Sequence, residues 1–166
     1  MPRRTLRPFH IAILATLMAA FAAHAAPRVI DKAAIYRAAG ATRLPGGGWG
    51  ICEADENGRR GQADIEFIRD LNDDGRPEAL VTDTSTYCYG MTGVGYQFLS
   101  RGADGRWRVL SENLGVPNVL DTRGADNMPD LELAGHGFCF GVHRWNGRIY
   151  DLHRHQYDGK PCKPPE

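Results

Sequence analysis

The chain has 166 residues with 20 basic and 20 acidic side chains, so its formal net charge is zero. A balanced surface of mixed sign argues against nucleic acid or an anionic membrane as the main partner. Hydrophobic residues make up 42% of the chain, and its length suits one domain that buries a core.

Residues 1–25 are typical of a cleaved export signal. Three arginines precede an apolar segment at positions 9–23, and the small-x-small sequence Ala-His-Ala then provides a cleavage site. The apolar segment is too short for a stable membrane span. We therefore expect a single β-rich domain at residues 26–166, periplasmic or secreted, with a net charge of −3 and no stable membrane insertion after cleavage.

Four cysteines follow the signal, and an even number in an exported chain predicts two disulfides. The connectivity is not readable from the sequence. We favour Cys52–Cys88 and Cys139–Cys162, because each pair closes a modest loop within one half of the chain. The alternative is a catalytic thiol at Cys139 beside His136, but an exported thiol tends to oxidise.

A short helix is predicted over residues 30–39, where alanines favour helix formation and Gly40 ends it. The rest of the chain has the pattern of short strands separated by Gly, Asp and Asn. Ile65 and Phe67 alternate with acidic residues, as a strand with one buried face requires. The tail 159–166 is expected to be extended. The nine expected strands are 49–52, 63–69, 78–83, 96–101, 106–111, 116–121, 131–134, 138–144 and 148–153.

The strand region contains an internal repeat, with unit one at residues 63–111 and unit two at 116–153. The sequence Pro-Glu-Ala-Leu that begins at Pro77 aligns with Pro-Asp-Leu-Glu at Pro129, and unit one carries an insertion at 85–94. Each unit comprises two strands around an Asp-rich turn, then a hairpin closed by Asp-Gly or Asn-Gly. The predicted fold is mainly β, two related four-strand units forming a sandwich or open barrel, with one short N-terminal helix and two disulfides.

The Asp-rich turn of unit one has alternating oxygen-bearing residues around Gly75, which permits a sharp turn. Calcium takes roughly six to eight oxygens, and loops supply them from alternating positions. The alternative is a plain turn in which these side chains cap backbone N–H groups. The equivalent turn at 122–130 has lost the first and third ligands, so we expect it to be metal-free. The predicted calcium ligands are Asp70, Asn72, Asp74, the carbonyl of Arg76, and Glu78.

This loop and the hydrophobic Ala79-Leu80-Val81 that follows resemble the FG-GAP and VCBS repeat family. The family pattern is Asp-x-Asn-x-Asp-Gly-x-x-Asp before a hydrophobic strand, and Glu78 replaces the final Asp here. The resemblance implies a calcium loop within a blade-like β-repeat that serves adhesion or ligand display. Two units are too few for a ring of roughly four to eight blades. The whole chain also resembles a small type of exported bacterial protein, through segments 87–90 and 137–140, which implies no activity.

Two further groups of polar residues invite a chemical interpretation. His153 and His155 lie two apart, so on a strand they share a face and could bind zinc or copper. The alternative is a pair of solvated residues on an edge strand. Asp130 and Glu132 have the character of a glycosidase pair, but we favour ordinary surface charge, because no environment that raises a pKa is visible.

The best candidate recognition surface is the insertion 85–94, because it is extra to the repeat and loop-like. Tyr87, Tyr89 and Tyr96 crowd it and could bind a protein or a glycan, unless they pack in the core. The sequence therefore predicts an exported, non-enzymatic binding module with a calcium loop. The alternatives are an inhibitor of a secreted hydrolase and a small periplasmic hydrolase.

Overall fold

A computed structural model describes residues 29–135 and 137–164. The predicted export signal 1–25 and His136 lie outside the described residues. Helices α1 and α2 span Lys32–Ala38 and Thr86–Tyr89, and 3-10 turns span Gly90–Thr92 and Ala125–Asn127. Strands β1 to β11 span, in order, Thr42–Arg43, Trp49–Gly50, Gln62–Arg69, Glu78–Thr84, Val94–Arg101, Trp107–Leu114, Val116–Arg123, Pro129–Ala134, Phe140–Trp145, Tyr150–Tyr157 and Lys160–Pro161.

The fold is mainly β, as predicted, and the two repeat units form two separate antiparallel sheets. Unit one gives the order β3-β4-β5-β6, and unit two gives β7-β8-β9-β10 with β11 added beyond β10. Only Gly115 separates β6 from β7, so the chain passes from one sheet to the other at a single corner. The sheets pack as a sandwich, which was one of the two predicted arrangements.

The main core lies between the two sheets. Tyr96 and Phe98 are two apart on β5, so both point to this interior, and the Phe98 ring meets Tyr150 edge-on at 5.8 Å between centroids. Each fully buried large side chain contributes roughly 2 kcal/mol, so this cluster is a main source of the stability of the fold. The buried members are Leu80, Tyr96, Phe98, Met128, Leu131 and Tyr150.

The segment before β3 is fastened to unit one. Asp31 caps α1 by accepting the backbone N–H of Ala33 at 2.9 Å, and Ile35 of α1 is completely buried. The buried carboxylate of Asp83 in β4 accepts the backbone N–H of Ile51 at 2.6 Å and that of Cys52 at 3.3 Å. These hydrogen bonds join the segment to β4, a central strand of the first sheet.

Both favoured disulfides, Cys52–Cys88 and Cys139–Cys162, are present, and the described residues contain no free cysteine. The alternative of a catalytic thiol at Cys139 is therefore wrong. Two disulfides indicate an oxidising environment. Within the described part of the chain, no helix has the length and apolar character needed to cross a membrane.

Several boundaries differ from the prediction for local reasons. The insertion contains α2, because the Ser85 hydroxyl caps it by accepting the backbone N–H of Cys88 at 3.3 Å. The last long strand starts at Tyr150 rather than at 148, because the Asn146 side chain accepts the N–H groups of Arg148 and Ile149. The expected strand 49–52 is shorter, and it pairs with β1, which was not predicted.

Candidate functional site

The loop between β3 and β4 is closed by its first carboxylate. Asp70 Oδ1 accepts the backbone N–H of Asp74 at 3.2 Å, and its Oδ2 accepts that of Gly75 at 2.8 Å. Asp73 and Gly75 have φ angles of 63° and 79°, which the glycine adopts without strain. The predicted sharp turn is therefore present, and its Asp70 carboxylate faces the turn interior.

The middle of the loop is held by a second carboxylate. Asp74 Oδ1 accepts the Arg76 backbone N–H at 2.8 Å, and its Oδ2 is ion-paired with the Arg76 guanidinium. The amide of Asn72, which is buried, donates to the same Oδ2 at 3.3 Å. These bonds are those of the plain capped turn that was the alternative to a calcium loop.

The last predicted ligand, Glu78, is completely buried at the start of β4. Its Oε2 accepts the Leu71 backbone N–H at 2.9 Å and its Oε1 accepts the Ser100 hydroxyl at 2.9 Å. Burial raises the Glu78 pKa, the two hydrogen bonds lower it, and the negative charges of Asp74 and Asp70 raise it again. No basic side chain of the described residues pairs with this carboxylate. Glu78 is thus a buried acid beside two like charges.

In unit two, the equivalent buried carboxylate is neutralised by arginine. Asp130, the counterpart of Glu78, is also completely buried, but Arg144 Nε and Nη2 donate to it at 2.9 and 2.8 Å and Arg154 Nη1 at 3.0 Å. Burial alone raises the Asp130 pKa, yet hydrogen bonds from Arg144, Thr122 and Arg154 outweigh this and hold it well below its usual range. The expectation that Asp130 is surface charge is wrong, because the carboxylate lies inside an arginine pair.

The two Asp-rich turns contact each other across the end of the sandwich. The Asn72 amide donates to the backbone carbonyl of Asp126 at 3.3 Å, and the Asn127 amide donates to the carbonyl of Asn72 at 2.9 Å. The Arg123 guanidinium donates to the carbonyl of Leu71. The loop of unit one and the turn of unit two are therefore joined directly by hydrogen bonds.

The predicted ligands have the chemistry that a hard cation requires. In this structure, however, their carboxylate oxygens accept hydrogen bonds from other groups of the protein. Every donor is an oxygen, and among the described residues only the Arg76 guanidinium is ion-paired with one of the three carboxylates, so the ligand set keeps an excess of negative charge. Within the described residues, however, no three His, Cys, Asp or Glu side chains are grouped as a metal site. Calcium binding would require Asp70 and Asp74 to exchange N–H partners for the ion.

The insertion brings only one of its three predicted tyrosines to the surface. The Tyr87 side chain is 66% exposed. Tyr89 is half-buried against Gly95, and burial followed by the charge of Asp83 raises its pKa to about 12. Tyr96 is completely buried, with its hydroxyl 2.9 Å from that of Ser111, so its expected place in a recognition surface is wrong.

The histidines on β10 do not form a cluster of three ligands. His153 is exposed and lies where the register between β10 and β9 shifts, while His155 is half-buried. In the part of the chain that the structure describes, no third His, Cys, Asp or Glu completes a metal site with them. The structure also shows a feature that no sequence pattern indicated, an exposed Phe138 ring edge-on to Tyr157 at 5.4 Å.

No protein-family model, curated protein or solved structure matches the chain. The resemblance to FG-GAP and VCBS repeats therefore stays a prediction.

Proposed function

We propose that this protein is an exported, non-enzymatic binding module whose sandwich is stabilised by calcium at the loop 70–78. The observation that carries the proposal is the contrast between two equivalent buried carboxylates. Asp130 is neutralised by Arg144 and Arg154, whereas Glu78 has only hydrogen-bond donors and two neighbouring acids. A buried carboxylate costs several kcal/mol unless it is paired. A dication in the loop supplies the missing positive charge.

The residues that would hold the ion are those of the loop itself. Asp70, Asn72 and Asp74 would provide side-chain oxygens, Arg76 its carbonyl and Glu78 its carboxylate. The Arg76 guanidinium, now paired with Asp74, acts as the competing cation that calcium displaces. That competition and the exposure of the loop suit a weak, extracellular type of site, with a Kd on the order of 10⁻⁴ M.

Calorimetric titration of the chain with calcium tests this proposal. We expect one ion to bind per chain, because unit two lacks two ligands and already neutralises its carboxylate with arginine. Asp74→Ala should abolish the heat of binding, since Asp74 is the central ligand. Asp121→Ala, an exposed acid on β7 outside the loop, is the matched control and should titrate like the wild type. No heat in the wild type, or an unchanged titration of Asp74→Ala, contradicts the proposal.

The second part of the proposal is that the insertion 85–94 engages a protein or glycan outside the cell, in the periplasm or after secretion. The disulfide Cys52–Cys88 and the Ser85 cap hold the backbone of α2, so Tyr87 is presented from a restrained helix. An exposed aromatic ring is a good anchor for a partner.

Substitution of Tyr87 tests this surface. Tyr87→Ser should reduce capture of native partners from a periplasmic extract at least tenfold, a typical loss for an aromatic anchor. It should leave the melting temperature unchanged, because the ring is mostly exposed. Tyr157→Ser, an exposed tyrosine on the opposite unit, is the control. Equal capture by wild type and Tyr87→Ser contradicts a role for the insertion.

A further inference from the structure

A cleft of about 450 Å³ lies between the loop 70–78 and the turn of unit two. Small-molecule sites occupy roughly 300–1,000 Å³, so the cleft has room for one small ligand. One wall is apolar and the other is polar. Its lining includes Asp74, Arg76, Asp126, Met128 and Trp145.

The apolar wall is a fixed aromatic surface. Trp145 ends β9, and its ring packs on Tyr150 at 5.4 Å between centroids. Its indole Nε1 donates to Asp126 Oδ2 at 3.1 Å, so both the plane and the polar edge of the ring are held. Met128 beside it is almost completely buried. The cleft therefore presents part of an aromatic side chain that is already held in place, so it requires little ordering when a ligand binds.

The polar wall offers both acceptors and donors at its rim. Asp126 accepts the indole N–H through Oδ2, and its Oδ1 has no donor among the described residues. The Arg76 guanidinium reaches only Asp74 among the described side chains, which leaves most of its five N–H groups for a ligand. Asp74 and Arg76 neutralise each other, so Asp126 gives the wall one negative charge, which disfavours anions.

We propose that this cleft binds a neutral, polyhydroxylated ring, a mono- or disaccharide unit. A sugar ring has one C–H-rich face, which would cover Trp145, and hydroxyls around its edge, which would donate to Asp126 and accept from Arg76. The proposal goes beyond the calcium site and the insertion, and it does not require the ion. Asn72 and Asp74 belong to both the loop and the cleft wall, however, so bound calcium should change the affinity for the sugar.

Tryptophan fluorescence of the chain, titrated with glucose, galactose, N-acetylglucosamine, maltose and cellobiose, tests this proposal. At least one sugar should give a saturable change. Asp126→Asn should weaken it about tenfold, because a charged hydrogen bond is lost while the residue still tolerates its φ of 52°. Trp145→Leu removes the reporting indole, so its sugar binding is measured by calorimetry, where the heat of binding should be abolished. Trp107→Phe and Asp121→Asn are the controls, and melting curves show whether each variant folds.

Either of two results overturns the proposal. The first is that none of these sugars gives a saturable change. The second is that choline chloride saturates the signal instead, which would mark the cleft as a site for cations. Repeating the titrations in chelator separates the two hypotheses. Sugar binding without any calcium heat supports the cleft and contradicts the calcium loop. Calcium heat without sugar binding does the reverse.

Discussion

At the scale of single residues, two buried carboxylates explain most of the asymmetry between the units. Glu78 and Asp130 occupy the same position at the start of the second strand, and both are completely buried. Asp130 lies between two guanidinium groups, so its charge is favoured there. Glu78 accepts two neutral hydrogen bonds and faces Asp70 and Asp74, so its charge is disfavoured. The first arrangement is complete, whereas the second gains from an added cation.

The ion pairs of Asp130 with Arg144 and Arg154 make the free energy of unfolding depend on pH. Because the folded pKa of this carboxylate lies below the ordinary 3.8, the contribution of Asp130 is present above that pH and is lost as the pH falls towards the folded pKa. Arg144→Ala should cost about 2 kcal/mol at pH 7, the value of charged hydrogen bonds. The difference from wild type should shrink in acid, because Asp130 of the folded variant takes up its proton at a higher pH than Asp130 of the folded wild type.

Denaturant unfolding at pH 7 and at pH 3 measures this difference directly. Arg148→Ala is the matched control, since Arg148 is exposed and its side chain has no partner among the described residues. An Arg144→Ala penalty of the same size at both pH values would show that the pair does not set the titration of Asp130.

At the scale of elements, the repeat made most of the fold predictable. Alternating hydrophobic residues and Asp-Gly or Asn-Gly turns are local signals, and eight of the nine expected strands became the two sheets. Strands β1 and β11 have two residues each, which is too short for any periodicity, and they form only because β2 and β10 lie beside them. Helix α2 has only four residues and depends on the Ser85 cap. A helix this short has no sequence periodicity, so the sequence predicted a loop for the insertion.

The candidate site likewise has a part that the sequence predicts and a part that it does not. The residues of the loop 70–78 are contiguous, so their spacing was visible in the sequence. The cleft takes residues from both sheets, among them Ser100 and Trp145, and only the packing of the sandwich brings them together. The prediction that Tyr96 belongs to a recognition surface was wrong for a related reason. Alternation with Phe98 points the Tyr96 side chain inward, and nearness to the insertion along the chain does not outweigh that alternation.

At the scale of the whole molecule, the two sheets are joined at opposite ends by different means. Gly115 connects β6 to β7 covalently, and hydrogen bonds from Asn72, Asn127 and Arg123 join the Asp-rich turns. An ion in the loop would therefore stabilise the contact between the units as well as the turn of unit one. Calcium should raise the stability of the cooperative fold as a whole.

Thermal melting of wild type and Glu78→Gln at pH 7, each in chelator and in calcium, tests the central claim most directly. In chelator, Glu78→Gln should melt higher, because a folded pKa raised above the ordinary 4.5 makes Glu78 destabilising at any pH above that ordinary value. Calcium at about 100 times Kd should stabilise wild type by about 2.7 kcal/mol, or several degrees, and Glu78→Gln much less. A wild-type melting temperature that is equal in calcium and chelator, or an equal gain in both proteins, would contradict the account.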